Sequence, residues 1–458
     1  RTLLVAFRDE CCLALGATIP FSRSSCGYVG ASDGWSDLND NLRMDWEFDY
    51  ADDGNVALTG EIDLKESRAF TLGLAFGPGL HAATTTLLQS LGIRYEEQRR
   101  RYQDQWHRVL CHVVPLEKVA QDDGRLYCIS HTLLHSHEDK SFPGALIASM
   151  SIPWGEDRSD EDGLGGYHLV WTRDLCQSAT ALLSTGDAET PLRALIYIAA
   201  SQCPDGGFYQ NFWINGEPYW RGVQLDETAF PVMLAWKLKE LQALQDFDPY
   251  PMILKAAHHL IRQGPVTAQE RWEENSGYSP STLAAVIAAL VCAADFARLH
   301  KDSGTASFLE EYADFLESHI ENWTVTTQGS LVRGIARHFI RIHPADPDDR
   351  EPAEDPNAGI LPIRNRLPGE PFEFPAKDIV DAGFLELVRY GIRKPGDSLI
   401  EDSLLVVDSV LRVETPSGPC WRRYNHDGYG QRPDGGPYAG SGKGRAWPLL
   451  AGERAHYE

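Results

Sequence analysis

The first 80 residues alternate short apolar runs with turn-forming clusters rich in glycine, proline and aspartate. Short apolar runs bounded by such clusters are typical of β-strands. The pattern predicts strands over residues 3–7, 44–50, 56–58 and 70–76. Four strands are too few to close a β-sandwich. We therefore expect residues 1–79 to be the C-terminal part of such a domain, with upstream sequence supplying the rest.

Helical spacing replaces the strand pattern from residue 80 onward. Residues 80–115 are dense in good helix formers and predict a helical linker between two domains. The basic cluster Arg99-Arg100-Arg101 within it is most simply a solvated helix face.

Beyond residue 116, helical stretches alternate with long loops in which glycines, prolines, aromatics and charges collect. Serial helices with such loops between them favour a toroid of paired α-helices. The predicted helices span residues 126–137, 175–184, 190–203, 227–244, 252–262, 281–299, 306–321, 379–390 and 398–410.

Composition narrows the class of partner. The 458 residues carry a formal net charge of −24. That charge argues against nucleic acid and anionic membranes and suits a neutral ligand such as a sugar. We find no apolar run of membrane-spanning length, and the nine cysteines lack CxxC or Cys/His metal spacing.

Because the chain opens at Arg1 inside an apolar stretch, we expect a fragment of a longer protein. We hypothesise an extracellular or periplasmic location, which no targeting signal in the chain tests.

The most informative segment is Glu270-Arg271-Trp272-Glu273-Glu274, where a tryptophan precedes two adjacent carboxylates. An indole offers a flat apolar wall for a sugar ring, and it removes water from a neighbouring carboxyl, which raises the pKa of such a group. A protonated carboxyl beside a sugar platform is what cleavage of a glycosidic bond requires. The alternative is an acidic helix start, with both glutamates at the positive end of the helix.

Three further segments strengthen the interpretation as a sugar site. Arg173-Asp174 follow a stretch rich in glycine and aromatics and suit vicinal hydroxyls, or alternatively a surface ion pair at a helix start. Residues 204–227 combine amides, aromatics and carboxylates, although Asp226-Glu227 also fit a helix N-terminus. Residues 421–430 and 442–448 alternate aromatics, guanidinium groups and glycines.

Other chemistries fit the chain less well. It has no HExxH, GxSxG or P-loop motif. The acidic stretch around Asp346, Asp348 and Asp349 leaves a structural calcium ion open, although no EF-hand pattern exists and a solvated loop is the simpler interpretation. We therefore expect no required cofactor and no catalytic metal.

Four motifs, taken in chain order, resemble glycoside hydrolase family 15, the glucoamylase family. They are Trp171-Thr172-Arg173-Asp174, Trp220-Arg221 with Asp226-Glu227, Trp272-Glu273-Glu274 and Arg422-Arg423-Tyr424. The resemblance extends over nearly the whole chain and is strongest to prokaryotic members of glucoamylase or glucodextranase type. It implies a multidomain, mainly α protein, in which a C-terminally incomplete (α/α)6-barrel catalytic domain over residues 116–458 follows part of a β-sandwich.

The resemblance also implies an activity and a set of site residues. The activity is that of an exo-acting, inverting hydrolase that releases β-D-glucose from non-reducing ends of α-glucans such as starch or maltooligosaccharides. Glu273 corresponds to the general acid, and Arg173 and Asp174 to the pair that grips the terminal glucose. The other substrate-binding residues that it implies are Tyr167, Trp171, Trp220, Trp272, Glu274 and Arg423.

An inverting hydrolase also needs a carboxylate base, roughly 6.5–9.5 Å from the acid with a water between them. In the family this glutamate belongs to a Glu-Gln segment, and the only such pair here, Glu97-Gln98, lies in the predicted linker. We expect the base beyond residue 458, with Glu453 as the fallback within the chain.

Several alternatives stay open. The same motifs fit a glucodextranase-like enzyme that cuts α-1,6 bonds or a trehalose hydrolase, because all these substrates share the terminal glucose. The chain could instead be a carbohydrate-binding fragment without a base, or belong to a phosphorylase with a phosphate site in its place. We expect a monomer that acts on an α-glucan or oligosaccharide, without a nucleic acid or membrane partner.

Overall fold

The computed structural model describes residues 2–65, 67–116, 118–151, 167–349, 351–352, 354–430, 432–434, 438 and 440–458. The chain divides into two compact units, Arg1–Cys111 and His112–Glu458. Each unit has a hydrophobic core of its own.

The first unit combines antiparallel strands with helices. In chain order its elements are β1 (Leu4–Arg8), β2 (Cys11–Ala17), β3 (Arg23–Tyr28), α1 (Gly34–Asn41), β4 (Val56–Glu61), β5 (Leu72–Gly77), α2 (Leu80–Gly92) and α3 (Tyr95–Leu110). One sheet has the strand order β1-β2-β5, and β3 pairs with β4.

Helix α2 packs on the three-stranded sheet. Its residues Leu87 and Leu91 lie in the small core with Cys12, which β2 supplies. Gly16 and Gly73 are partners across β2 and β5, and a Cβ on either would lie 2.7 Å from a leucine side chain. The paired glycines therefore leave the space in which leucine side chains pack.

The first unit departs from the predicted strands. Residues 44–50 form no strand, because the backbone N–H groups of Asp45 and Trp46 each donate to the Asp37 carboxylate rather than to a sheet ladder. Strands β2 and β3 were not predicted. The short side chains of β2 show no clear alternation of apolar and polar residues that would have indicated a strand. The sequence predicted a linker over residues 80–115, whereas the division of the structure falls after Cys111 and places α2 and α3 in the first unit.

The second unit contains the main set of helices. They are α4 (Arg125–Ser136), α5 (Thr172–Ser184), α6 (Glu189–Ala200), α7 (Leu225–Glu240), α8 (Tyr250–Gln263), α9 (Pro280–Leu299), α10 (Ser303–Thr324), α11 (Leu385–Arg389), α12 (Ser398–Leu411) and α13 (Pro448–Tyr457).

Short strands lie in the loops between these helices, all in antiparallel pairs. They are β6 (Val170–Trp171), β7 (Asn211–Phe212), β8 (Gly277–Tyr278), β9 (Val325–Thr326), β10 (His338–Phe339), β11 (His343–Pro344), β12 (Ile360–Pro362), β13 (Glu373–Pro375), β14 (Arg412–Thr415), β15 (Gly418–Arg422) and β16 (Ala446–Trp447). The pairs are β6-β7, β8-β11, β9-β10 and β12-β13, with a three-stranded sheet β14-β15-β16. A 3-10 turn spans Ala376–Asp378.

Alternate helices pack against one another in the series α5, α7, α9, α11 and α13, while α6, α8 and α10 pack beside their neighbours in sequence. Helices α7 and α9 are buried over most of their length. The sequence of α9 is accordingly apolar on nearly all sides, whereas α7 carries charged residues at both ends. Helix α9 is long and apolar enough to cross a membrane by length and composition alone, so the prediction that no run reaches that length was wrong. It is 67% buried within this unit, as the core helix of a globular domain would be.

Four helices of this series begin within or soon after the segments that carry the predicted chemistry. Strand β6 runs into α5, residues 204–224 lead to α7, β8 leads to α9, and β16 runs into α13. One predicted helix is mostly absent: of residues 379–390, only α11 is helical. There the Asp381 carboxylate accepts the Gly383 N–H and holds a non-helical turn.

Candidate active site

Glu273 lies in a tight turn that precedes β8. The backbone N–H of Glu273 donates to the Glu270 carbonyl at 2.7 Å, and that of Trp272 donates to the Glu270 carboxylate at 2.9 Å. The backbone φ of Glu273 is 64°, a left-handed conformation that non-glycine residues rarely adopt. Because α9 begins only at Pro280, the alternative interpretation of this segment as an acidic helix start is wrong.

Within the described part of the chain, three side chains donate hydrogen bonds to the Glu273 carboxylate. Trp171 Nε1 and Arg173 Nη2 reach Oε1 at 2.8 and 2.9 Å, and Gln210 Nε2 reaches Oε2 at 2.7 Å. The side chain keeps 22% of its surface exposed. Glu273 is thus held from several directions and remains accessible to a ligand. The indole in contact with it belongs to Trp171, whereas the Trp272 N–H points to Asp381 at 2.8 Å.

Arg173 lies among several carboxyl groups. Its Nη1 donates to Gln224 Oε1 at 2.6 Å and to Asp226 Oδ2 at 3.3 Å, and lies 3.8 Å from Glu227 Oε1. Burial raises the pKa of Asp174 and of Asp226, with the Arg173 guanidinium opposing the rise, and burial raises the pKa of Glu227 well above its usual range. Asp174, Asp226 and Glu227 therefore retain protons above the pH at which isolated carboxyls lose them. Asp226 and Glu227 do lie in the first turn of α7, as the alternative interpretation required.

Glu274 is buried and bonded within the protein. It accepts from Arg423 at 2.9 Å, Arg341 at 3.2 Å and Asn365 at 3.0 Å, and also from the Tyr424 hydroxyl. The role of Glu274 in binding substrate stays a prediction.

Arg423 makes two bonds to the Asp427 carboxylate, at 2.8 and 2.7 Å. Its guanidinium lies 5.3 Å from the Trp272 ring centroid. The late loop, which carries Arg423, and the turn of Trp272 are therefore adjacent, while the role of both residues in binding substrate stays a prediction.

Aromatic rings line the site on the side of Trp171. The ring centroids of Tyr167 and Trp171 are 5.6 Å apart, and those of Trp171 and Trp220 are 6.1 Å apart. Asn211 positions this wall, because it pairs with Trp171 across β6 and β7 and its Oδ1 accepts the Trp220 backbone N–H at 2.8 Å. Gly165 and Gly166, which belong to the segment singled out in the sequence, lie outside the described residues.

A cavity of about 740 Å³ opens beside these groups. Its lining includes Arg173, Asp174, Trp272 and, from α13, Glu453. Glu453 accepts from Arg271 at 2.6 Å, and burial raises the pKa of Glu453 while Arg271 opposes the rise. The fallback base thus lines the cavity but is engaged in an ion pair.

Sequence reasoning missed three residues that organise the site. Gln210 contacts Glu273, Asp381 orients the Trp272 indole, and fully buried Arg341 bonds both Glu270 and Glu274. Only Gln210 had a signal, since it stands in the amide-rich segment.

Among the described residues, no group of three or more His, Cys, Asp or Glu side chains is placed to hold a metal ion. In the acidic stretch, Asp346 Oδ1 accepts the backbone N–H of Asp348 at 2.9 Å, as in an ordinary polar turn. Whether this loop binds calcium stays open.

Residues 124–202 and 205–457 match the glycosyl hydrolases family 15, and residues 1–110 match domain N of glucodextranase. The chain belongs to glycosyl hydrolases family 15, which confirms the resemblance seen in the sequence. Among its relatives, a glucoamylase of Clostridium sp. (strain G0005) is 41% identical over 458 residues, which are 100% of this chain and 62% of the relative.

The crystal structure of a bacterial glucoamylase complexed with acarbose matches 100% of the chain and 64% of its own length, with a TM-score of 0.90 and 41% identity. This match confirms the predicted fold class, an (α/α)6 barrel preceded by a β domain. The chain spans a little under two thirds of the length of these relatives.

Proposed function

We propose that this chain carries the catalytic acid and the glucose-binding residues of an exo-acting, inverting glycoside hydrolase that releases β-D-glucose from the non-reducing ends of α-glucans. The activity is that of a glucan 1,4-α-glucosidase, with starch or maltooligosaccharides as substrates. The observation that carries the proposal is the placement of Glu273. It stands on a left-handed turn at the edge of the aromatic wall, and Arg173, the predicted glucose ligand, donates to it.

In the proposed reaction, Arg173 and Asp174 bind hydroxyls of the terminal glucose, and Tyr167, Trp171, Trp220 and Trp272 form the walls of the pocket. Glu273 donates its proton to the glycosidic oxygen as the bond from that oxygen to C1 breaks through an oxocarbenium-like state. A water attacks C1 from the opposite face and gives its proton to the base. Glu274 and Arg423 are proposed to bind the sugar as well.

For the general base, the chain itself offers only a weak candidate, Glu453. Glu453 lines the cavity, but its side chain is 14% exposed and bonded to Arg271, so it would have to leave an ion pair to activate water. We therefore retain the proposal of a glutamate beyond residue 458 as the base.

The test compares the chain with Glu273→Gln, using Glu189→Gln on an 84% exposed side chain as the matched control. Calorimetry measures acarbose binding, and proton NMR follows the anomer of glucose released from maltotriose. Glu273→Gln is expected to keep acarbose binding and to have no turnover in any version of the protein that contains the base. A near-normal rate in that variant would remove Glu273 from the role of acid.

The same measurement decides the place of the base. Absence of glucose from a folded chain that binds acarbose supports a base beyond residue 458. Initial β-glucose from residues 1–458 would instead promote Glu453, and Glu453→Gln would then abolish it. Initial α-glucose would refute the inverting mechanism.

The alternative of glucodextranase-like cleavage of α-1,6 bonds is not favoured, because the glucoamylase relative aligns over all 458 residues, including residues 1–110, which match domain N of glucodextranase. A trehalose hydrolase remains the other alternative. Relative rates on maltotriose, isomaltotriose and trehalose separate the three, because the terminal glucose is common and only the linkage differs.

We further propose a monomer that needs no cofactor, acts outside the cell or in a periplasm, and associates with neither membrane nor nucleic acid. The net charge of −24 supports the last two points. Light scattering coupled to size exclusion checks the oligomeric state.

A further inference from the structure

Gln210 is a buried amide in direct contact with Glu273. The residue as a whole is 6% exposed, and its side-chain Nε2 donates to Glu273 Oε2 at 2.7 Å. Gln210 immediately precedes β7, which pairs with the strand that carries Trp171. One strand pair therefore supplies a donor to each oxygen of the Glu273 carboxylate.

Other amides lie behind this contact. Gln224 Oε1 accepts from Arg173, and Gln224 Nε2 donates to Gln269 Oε1 at 3.3 Å. Gly222 lies between the outer ends of this group: a Cβ there would come within 2.4 Å of Gln210 Oε1 and 2.5 Å of Gln269 Oε1. The absence of a side chain at Gly222 leaves the room in which the Gln210 amide sits.

The three donors to Glu273 differ in what they can do when its protonation changes. The indole N–H of Trp171 and the guanidinium of Arg173 only donate, whereas the Gln210 amide has donors on nitrogen and an acceptor on oxygen. A general acid alternates between a carboxylate, which accepts, and a carboxyl, whose O–H must donate. Of the three, Gln210 alone suits both states, through a half-turn of its amide about χ3.

The open position at Gly222 bears on that half-turn. Exchange of Oε1 and Nε2 would turn the amide N–H groups toward Gly222, the side on which the Gln269 oxygen, an acceptor, also lies. The Gln210 oxygen would then face Glu273 Oε2 and accept its proton in a hydrogen bond. In each orientation, the end of the amide that faces Glu273 therefore suits the protonation state of that side chain.

We propose that Gln210 is a positioning residue that holds Glu273 in both of its protonation states, donating to the carboxylate and accepting from the acid. The proposal rests on the proposed role of Glu273 as general acid. It assigns Gln210 no contact with the substrate, so Gln210 acts only through Glu273.

The test uses binding rather than turnover, so that it does not depend on the base. Acarbose carries a secondary amine in place of a glycosidic oxygen, and the pH dependence of its affinity reports the ionisation of a carboxyl beside that amine. Calorimetry from pH 4 to 8 is carried out on the chain and on Glu273→Gln. The difference between the two profiles defines the inflection that belongs to Glu273.

Gln210→Leu removes the amide at similar volume. Because a hydrogen bond to the charged form is the stronger one, its loss disfavours the carboxylate and moves the inflection up by about one pH unit. Gly222→Ala displaces the Gln210 amide without touching Glu273 and is expected to move the inflection in the same direction. It also provides a second perturbation should the leucine variant fold poorly.

Gln202→Leu is the matched control. Gln202 Nε2 donates to the carbonyls of Gly206 and Met252, both at 3.0 Å, so this variant loses amide hydrogen bonds of a purely structural kind. Its inflection is expected to coincide with that of the chain.

The outcomes separate the two proposals. If the inflection depends on Glu273 but stays in place in Gln210→Leu and Gly222→Ala, the role of Gln210 is refuted while the acid remains. If the chain does not bind acarbose, or Glu273→Gln keeps the full pH dependence, the proposed function fails and the role of Gln210 fails with it.

Discussion

Replacing Arg341 by methionine is expected to destabilise the second unit strongly. The Arg341 side chain is fully buried, and its Nη2 donates to Glu270 at 2.6 Å and to Glu274 at 3.2 Å. Removing one partner of a buried ion pair costs about 3–5 kcal/mol, because the other charge stays buried and uncompensated. Most of this cost comes from the uncompensated charge of Glu270, since Glu274 keeps its hydrogen bonds from Arg423, Asn365 and Tyr424.

The structure therefore predicts a rescue. Glu270 is 1% exposed and accepts otherwise from the Trp272 backbone N–H, so Glu270→Gln removes the orphaned charge while keeping an acceptor oxygen for that bond. Arg341→Met combined with Glu270→Gln is expected to recover at least about 1 kcal/mol of the loss, an interaction term typical of contacting groups.

Scanning calorimetry of the chain and these variants, at pH 7 and one scan rate, measures the change. Arg337→Met is the matched control, because Arg337 is 53% exposed and its ion-pair partner Glu321 is 38% exposed. The thermal transition of this variant is expected to overlay that of the unchanged chain. The reasoning is refuted if Arg341→Met melts with the chain, or if Glu270→Gln adds to its destabilisation.

Three other predictions follow from single contacts. Although burial opposes it, hydrogen bonding from His135 lowers the pKa of Asp187 to about 2, so its contribution is complete above the ordinary pKa near 4 and is lost as pH falls through 2. Asp187→Asn should therefore lower the melting temperature at pH 7 and have little effect at pH 2. Leu290→Ala in α9 empties a fully buried site and should cost about 2–5 kcal/mol by calorimetry. The two oxygens of the Asp381 carboxylate accept the Trp272 indole N–H and the Gly383 backbone N–H, one each. Asp381→Asn keeps only one acceptor oxygen for these two donors, so the Trp272 indole is held less firmly and acarbose affinity should fall about fivefold.

Each of these has a control and a result that would contradict it. Asp248→Asn, on a pair with His300 that is 58% and 38% exposed, should show no comparable pH dependence. Leu299→Ala on the 57% exposed end of α9 should leave the melting temperature nearly unchanged. An Asp187 effect that is the same at both pH values, a silent Leu290→Ala, or unchanged acarbose affinity in Asp381→Asn would each contradict its argument.

The sequence predicted elements well where local pattern and packing agree. Residues 281–299 were predicted as a helix, and α9 spans Pro280–Leu299, because residues 283–294 form an unbroken apolar stretch that is largely buried in the core. Residues 44–50 alternate like a strand, yet Asp37 accepts the backbone N–H groups of Asp45 and Trp46, which are eight and nine positions away. Local spacing carries no information about such a competitor.

The site divides in the same way. Trp171, Arg173 and Glu273 stand in recognisable motifs, and the structure brings them together. Arg341 and Asp381 stand 71 and 109 positions from the partners they bind, in segments with no sugar-site signature. Only the fold joins those positions, so no reading of the local sequence identifies them.

The helix starts of the second unit have a consequence for how its chemistry can change over time. First-turn residues of α5, α7, α9 and α13, namely Arg173, Asp226, Ser281 and Leu449, all line the cavity, while the bodies of α7 and α9 fill the core. Recognition and structural support thus occupy different stretches of the same helices. A substitution at exposed Leu449 of α13 changes the lining of the cavity without entering the packing that α7 and α9 provide. Buried Glu270, in the segment ahead of α9, has no such freedom, so the surroundings of the cavity can change where they are exposed and are fixed where they also support the fold.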